Sequence, residues 1–349
     1  MRRVDVAVIG AGVSGSVCAR RLAELDPSAD ILVLDRLSER RYDRYHASCG
    51  EALSLRSFKE SALPLRHVRD RIHAVREHWP GGIVIEEKSE GAVIDRPSFL
   101  RSLHSELEGR AELEKASLRK AVREGGHIIL RTDGGEICCR TVVGADGAFS
   151  TVRRSLFEEV PAASIPVEQY LVDEEAEQGV IEFFYGERYR GGYRWRFPYG
   201  DMSNQGFPRG CDDRPRRAVE KGGRHIPIGG VRKVASTGAC LLGDAGSMVN
   251  PLSFGGIRVA MLSATKAAEA IASQDMGSYQ RWWSGSGFSD PLFQEAYGAC
   301  KAWDDRRMEL FMRPFAQGYR TLPMLAALLR GGEDSRVARA FLKSFKYGW

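Results

Sequence analysis

The sequence contains no run of about 18 apolar residues, so no segment reads as a membrane-spanning helix. Its seven cysteines, at positions 18, 49, 138, 139, 211, 240 and 300, show neither CxxC spacing nor neighbouring paired histidines. That odd, scattered set excludes a disulfide framework and a zinc site, and it suits reduced thiols in a cytoplasmic protein. Charge of one sign is scarce as well. Against 46 acidic side chains there are 51 basic ones, and the formal +5 is too small for a nucleic-acid footprint. Basic runs at 36–44 and 214–217 read as solvated faces. Met1-Arg2-Arg3 passes directly into a β-branched run, which leaves no room for a signal peptide. No repeat or low-complexity linker divides the chain, so any domain boundary is crossed more than once.

What is present is enough for a large core: 349 residues, 43% of them hydrophobic. The 38 glycines exceed the usual share of roughly 7%, as suits a backbone that must approach a cofactor closely. Residues 4–9 form a β-branched run, followed by Gly10-Ala11-Gly12-Val13-Ser14-Gly15 and an alanine- and leucine-rich helical stretch at 17–25. Residues 31–34 then read as a buried strand ending in Asp35, with Arg36 after it a candidate cofactor contact. This is a β-α-β unit. Its glycines allow a tight turn, close approach of backbone to a pyrophosphate, and close packing of helix on strand. Asp35, 20 residues after Gly15, stands where a ribose hydroxyl would be bound. Taken alone, the unit suits NAD and FAD equally.

Beyond it, 36–62 reads as loop-rich and polar, and 83–85 alternates as a strand. Residues 97–107 read as a helix with Pro97 in its first turn, and 127–131 and 136–143 as strands across Asp133-Gly134-Gly135. Short alternating, aromatic-rich runs between 155 and 236 suggest a β-rich module. A short strand at 239–242 then enters Gly243-Asp244, a helix follows at 257–271, and the remainder is helical. The helix N-terminus at Gly255-Gly256-Ile257 can offer N–H groups to the O2 edge of a flavin, where charge develops on reduction.

With these motifs in order, the chain resembles FAD-dependent enzymes of the para-hydroxybenzoate hydroxylase fold, and among them the geranylgeranyl reductases. Val143-Gly144-Ala145-Asp146-Gly147 through Arg153 is similar to the family's second fingerprint. Asp95-Arg96-Pro97-Ser98-Phe99-Leu100-Arg101 is similar to its helix entry, from which Arg101 is expected to face the cofactor. Gly243-Asp244 with Gly255-Gly256-Ile257 is similar to its third FAD motif. Ser48-Cys49-Gly50-Glu51 resembles a cysteine-glycine-acid segment whose cysteine lies beside the flavin, and Glu51 is expected at the surface or behind the site. Gly192-Tyr193-Arg194-Trp195-Arg196-Phe197-Pro198 resembles the YxWxFP signature lining the lipid pocket. Strand alternation puts Tyr193, Trp195 and Phe197 on one face.

The resemblance implies an α/β fold: a Rossmann-type FAD-binding domain from 1–62, 93–154 and 237–275, interleaved with a β-rich substrate domain from 63–92 and 155–236. A helical region covers 276–349. It also implies reduction of an isolated alkene in an apolar or prenyl-lipid substrate, with Cys49 the candidate proton donor. Electrons would come from an external donor, NAD(P)H or ferredoxin-like. The chain departs from the family at Phe254, where a glycine is usual, so Phe254 joins the expected pocket. Two rivals stand beside this reading: a flavin monooxygenase or halogenase, and a flavin-bearing binding protein without turnover. The apolar helical steps at 322–329 and the basic stretch 343–346 leave peripheral membrane contact open.

Overall fold

The computed structural model describes residues 1–161, 163–329 and 331–348, with the side chains of 321–323 and 326 outside that description. Strand β1 (Arg2–Ile9), helix α1 (Val13–Leu25) and strand β2 (Ile31–Asp35) form the expected opening unit. Both strands carry near-continuous apolar runs because both faces of a parallel sheet are covered. They pair in parallel, Val6 against Ile31 and Ile9 against Leu34. The sheet continues in parallel from β1 to Gly135–Gly144 and Ala239–Leu241, and from β2 to Glu112–Lys115. The hairpin Leu118–Glu124 and His127–Thr132 adds to one side of it. α1 packs on Ile257–Ala272 through small and apolar side chains, including Cys18, Ala19, Ala264 and Ala268, all fully buried.

A second eight-stranded sheet runs in the order Ala218–Ile228, Ala163–Val172, Met202–Pro208, Arg194–Tyr199, Val180–Phe184, Val68–Trp79, Ile83–Ile94, Ala52–Ser54. Its pairings are antiparallel except that of Val180–Phe184 with Val68–Trp79. The helices after 276 bury Phe293, Phe311, Phe315 and Val337 against Trp79, Ile83 and Ile85 of this sheet. No helix among the described residues is long and apolar enough to cross a membrane.

Two local expectations are corrected. Residues 36–62 are mostly regular: helices Glu39–Ala47 and Leu55–Glu60 flank the strand Ala52–Ser54. The first helix buries only Tyr42 and His46, one turn apart, while Arg40, Arg41 and Arg44 stay in solvent, so its apolar face is too narrow to announce itself. The strand expected from Gly192 starts at Arg194, because Gly191 at φ +80° turns the chain just before it.

Candidate cofactor and substrate site

The glycine turn closes on the junction after the Gly135–Gly144 strand. Gly10 has φ +103°, and a Cβ there would lie 2.3 Å from the Ala145 carbonyl oxygen. A Cβ on Gly15 would lie 1.8 Å from the Gly10 oxygen, which fixes how closely α1 approaches β1. Gly12 differs: its Cβ would meet only His46 Cε1, at 3.2 Å. Gly12 also begins α1 without a side-chain cap, so the first-turn N–H groups remain available to an anion. Asp35 accepts the Ala11 N–H at 2.7 Å with one oxygen and the Leu37 N–H at 2.7 Å with the other. A carboxylate has capacity left after two such bonds. Tyr42 donates to the Ala11 oxygen at 2.5 Å, bracing the turn from the helix that sequence patterning did not reveal.

Across from the turn, the Asp244 carboxylate makes no hydrogen bond among the described residues, and Ser247 after it turns left-handed at φ +54°. Burial pushes the Asp244 carboxyl up, opposed by the positive charges of Arg224, Arg96 and Arg153. None of these arginines has a carboxylate within ion-pair distance among the described residues. Arg96 donates to the His46 oxygen at 2.7 Å, and Arg153 to the oxygens of Ala245 at 2.6 Å and Ala148 at 2.7 Å. Arg224 reaches over from the second sheet, donating to the Ser48 oxygen at 3.1 Å and to that of Tyr45, with its guanidinium 3.5 Å above the Tyr45 ring. Burial lowers both Arg153 and Arg224. It also pushes His46 down to about 2, assisted by Arg96 and Arg224, so the ring beside Gly12 is neutral. Grouped cations facing one open carboxylate suit a ligand that carries both phosphates and hydroxyls.

The third motif lies at the same place. Gly256 precedes Ile257–Ala272 without a side-chain cap, and a Cβ on it would stand 3.6 Å from Asp244 Oδ1. A Cβ on Gly255 would fall 2.0 Å from the Gly348 oxygen, so the C-terminal residues close over this segment. Asn250 accepts from Leu252 at 2.9 Å and Ser253 at 3.1 Å, while its buried amide nitrogen has no partner among the described residues. A buried donor left open in this way fits a site shaped for a bound polar group.

Cys49 and Gly50 face the aromatic wall. A Cβ on Gly50 would lie 2.5 Å from the Phe197 ring and 3.6 Å from Trp195 Nε1. Trp195 donates to Asn204 Oδ1 at 3.0 Å, and the Asn204 amide donates to the Cys49 oxygen at 2.7 Å. Gly206 lets the indole lie flat, since a Cβ there would be 2.1 Å from Trp195 Cζ2. Tyr193, Trp195 and Phe197 are each buried to 6–7% exposure and cluster with Ile72, Val93, Val167 and Ile181. Phe254, left-handed at φ +48°, sets its ring 5.3 Å from that of Tyr193, whose hydroxyl donates to the Ser253 oxygen. Burial raises the Tyr193 phenol, and Cys49 adds to that. Pro198, the next residue along the strand, is buried too.

Some expected residues lie elsewhere. Arg101 is exposed, pairing with Asp43 at 2.5 Å and Ser98 at 3.0 Å, and Arg36 is exposed over the Tyr45 ring at 5.5 Å. Glu51, expected at the surface or behind the site, is 1% exposed. Its backbone is left-handed at φ +60°, and the carboxylate turns inward to accept the Arg96 N–H at 3.3 Å. Its second oxygen is buried without a partner, and burial pushes the carboxyl up to about 7. Arg96 and Arg153 sit inside motifs whose neighbours drew notice. Arg224 had no sequence signal, because its place depends on the packing of one sheet against the other.

No family model matches the chain. Its fold is shared with a geranylgeranyl bacteriochlorophyll reductase-like protein from Thermoplasma acidophilum: TM-score 0.77, 21% identity, 99% of this chain and 98% of that one. A myxobacterial FAD-dependent chondrochloren halogenase shares it too, with TM-score 0.68, 16% identity and coverage of 99% and 97%. The chain therefore has the fold of these two proteins. By sequence, the chain is similar to digeranylgeranylglycerophospholipid reductase 2 of Methanopyrus kandleri, 29% identical over 330 residues covering 80% of this chain and 82% of that protein. Reductase 1 of the same organism is 28% identical over 374 aligned positions, covering 93% and 96%. Within that architecture, the chain resembles the geranylgeranyl reductase family.

Proposed function

We propose that this protein is an FAD-dependent reductase that saturates carbon–carbon double bonds in a prenyl lipid of the geranylgeranyl type. One observation carries the reading: Asn204 ties the Cys49-Gly50 turn to the Trp195 wall, beside the charged cluster around Asp244. In this assignment Gly10, Gly12 and Gly15 with the start of α1 receive the FAD pyrophosphate, and Asp35 receives the adenosine ribose. Asp244 accepts from hydroxyls nearer the flavin, and Gly255, Gly256 and Ile257 offer backbone N–H groups to the ring. We assign to the buried Arg96, with Arg224, the charge contact first expected of Arg101, while Arg36 serves at the edge of the site.

Reduced FAD supplies a hydride. An isolated alkene has no carbonyl to polarise, so the protein contributes position, a dry pocket and a proton. Tyr193, Trp195, Phe197, Pro198 and Phe254 hold the prenyl chain and exclude water. The Cys49 thiol gives its proton to the second carbon and is reprotonated from solvent. An external carrier, NAD(P)H or a ferredoxin-like protein, returns electrons to the cofactor. The protein works in the cytoplasm and meets its substrate at the membrane surface.

Phe254 supports a second reading, a flavin monooxygenase acting on a smaller apolar molecule, because its ring narrows the space beside Tyr193. Product analysis separates the two. Fed with a reductant and a geranylgeranylated glycerophospholipid, the FAD-loaded protein should yield lipid that has gained hydrogen. Products that gain oxygen would instead establish the monooxygenase.

A further inference from the structure

The last two helices, Thr321–Leu329 and Gly332–Tyr347, leave large apolar side chains in solvent. Leu329 is 77% exposed, Phe345 53%, Leu325 49% and Leu342 39%. Leu325, Leu342 and Phe345 rim a groove of about 530 Å³ whose floor includes Met324, Leu328 and Tyr319. Apolar side chains exposed singly are ordinary, but three around one groove, beside Glu87 and Lys88, with Leu329 exposed on the same helix as Leu325, are a surface in want of a partner.

The charges beside them say which partner. On Gly332–Tyr347, the exposed positions Arg336, Arg339, Leu342, Phe345 and Lys346 follow one another at helical spacing, so cations share a face with the apolar residues. None of these three cations has a carboxylate within ion-pair distance among the described residues. The acids of the same helix are engaged elsewhere: Glu333 accepts from the Trp303 indole at 2.8 Å, and Asp334 pairs with Arg307. A face that joins leucine and phenylalanine to arginine and lysine not paired with carboxylates matches the interface of a bilayer with anionic head groups.

The helix also ends at the site. The Gly348 oxygen accepts from Ser253 Oγ at 2.9 Å, and the Ser253 oxygen accepts from the Tyr193 hydroxyl. Phe345 on the outer face is thus three residues from the segment that closes over Gly255. We propose that this face docks on an anionic phospholipid bilayer and sets the mouth of the pocket against the lipid surface. The use of the docked state rests on the prenyl-lipid reading; the docking itself does not.

The test is co-sedimentation of the FAD-loaded full chain with vesicles of phosphatidylcholine alone or mixed with phosphatidylglycerol. Binding should require phosphatidylglycerol and weaken with salt. Neutralising two cations in Arg336→Gln/Arg339→Gln should weaken it roughly 30-fold, at about 1 kcal/mol for each basic residue near the surface. Leu329→Glu, at a side chain that packs on little, should abolish binding while leaving reduction of detergent-dispersed lipid unchanged. Equal binding to neutral vesicles, or variants that sediment like the parent, would overturn the proposal. So would a dimer in solution that Leu329→Glu dissociates, because the face would then belong to a second copy. Because sedimentation needs no turnover, its failure is distinguishable from failure of the reductase reading.

Discussion

The side-chain amide of Asn204 donates to the backbone oxygen of Cys49 at 2.7 Å, across the gap between the second sheet and the turn that ends the Glu39–Ala47 helix region. Because the same side chain accepts from Trp195, one residue sets both the thiol-bearing turn and the aromatic wall. Asn204→Leu strands a buried indole N–H and a backbone oxygen, at about 1–3 kcal/mol for each group left unpaired. We expect a lower melting temperature and a turnover loss larger than that of Trp195→Phe, with FAD content retained. Equal losses in the two variants would show that Asn204 serves only the tryptophan.

The three glycines of the first turn should not respond alike. Gly15→Ala drives a Cβ into the Gly10 oxygen and Gly10→Ala adds a left-handed alanine against the Ala145 oxygen, so both should give little folded protein. Gly12→Ala meets only the edge of His46 and should fold, yet on the proposed assignment of the pyrophosphate to this turn it should lose FAD affinity. Flavin absorbance per mole of soluble protein reads this directly.

Glu51 predicts a pH dependence of stability. Burial raises its folded-state carboxyl to about 7 from the ordinary 4.5, so the unfolded chain ionises first as pH rises. The stability associated with the neutral carboxyl is therefore complete below about pH 4.5, falls through the interval up to about pH 7, and is level above it. Across that window the change is roughly 3 kcal/mol. Urea denaturation of the parent and of Glu51→Gln should show their difference shifting in favour of the glutamine protein between pH 5 and about 7. A constant difference would mean that Glu51 is not held neutral.

Phe254 occupies a left-handed position that glycine would take without strain. Phe254→Gly relieves about 1–3 kcal/mol of backbone cost but forfeits roughly 3–5 kcal/mol of ring packing, so a modest net destabilisation is expected. The larger effect should be on selectivity. With the ring gone from beside Tyr193, bulkier or longer prenyl chains should be reduced faster relative to short ones, at unchanged FAD content.

The first β-α-β unit was legible because period, glycine spacing and a terminal Asp35 all point the same way, and the structure puts them there. The Tyr193, Trp195 and Phe197 row was legible from strand alternation joined to the resemblance to the YxWxFP signature. The Glu39–Ala47 helix was not, since two buried side chains among many charges make a weak pattern. Nor was the inward turn of Glu51, which depends on a left-handed backbone at a residue that seldom adopts one. Arg224 became visible only when the second sheet was seen to lean over Tyr45 and Ser48.

The central claim is that reducing equivalents pass from the cofactor to an alkene. Anaerobic mixing of the reduced, FAD-loaded protein with a geranylgeranylated glycerophospholipid tests it most directly. The account predicts that oxidised-flavin absorbance returns with the unsaturated lipid and not with its saturated analogue, each double bond lost accompanied by gain of H2. Reoxidation only on admission of oxygen, with the lipid recovered unchanged, would contradict it.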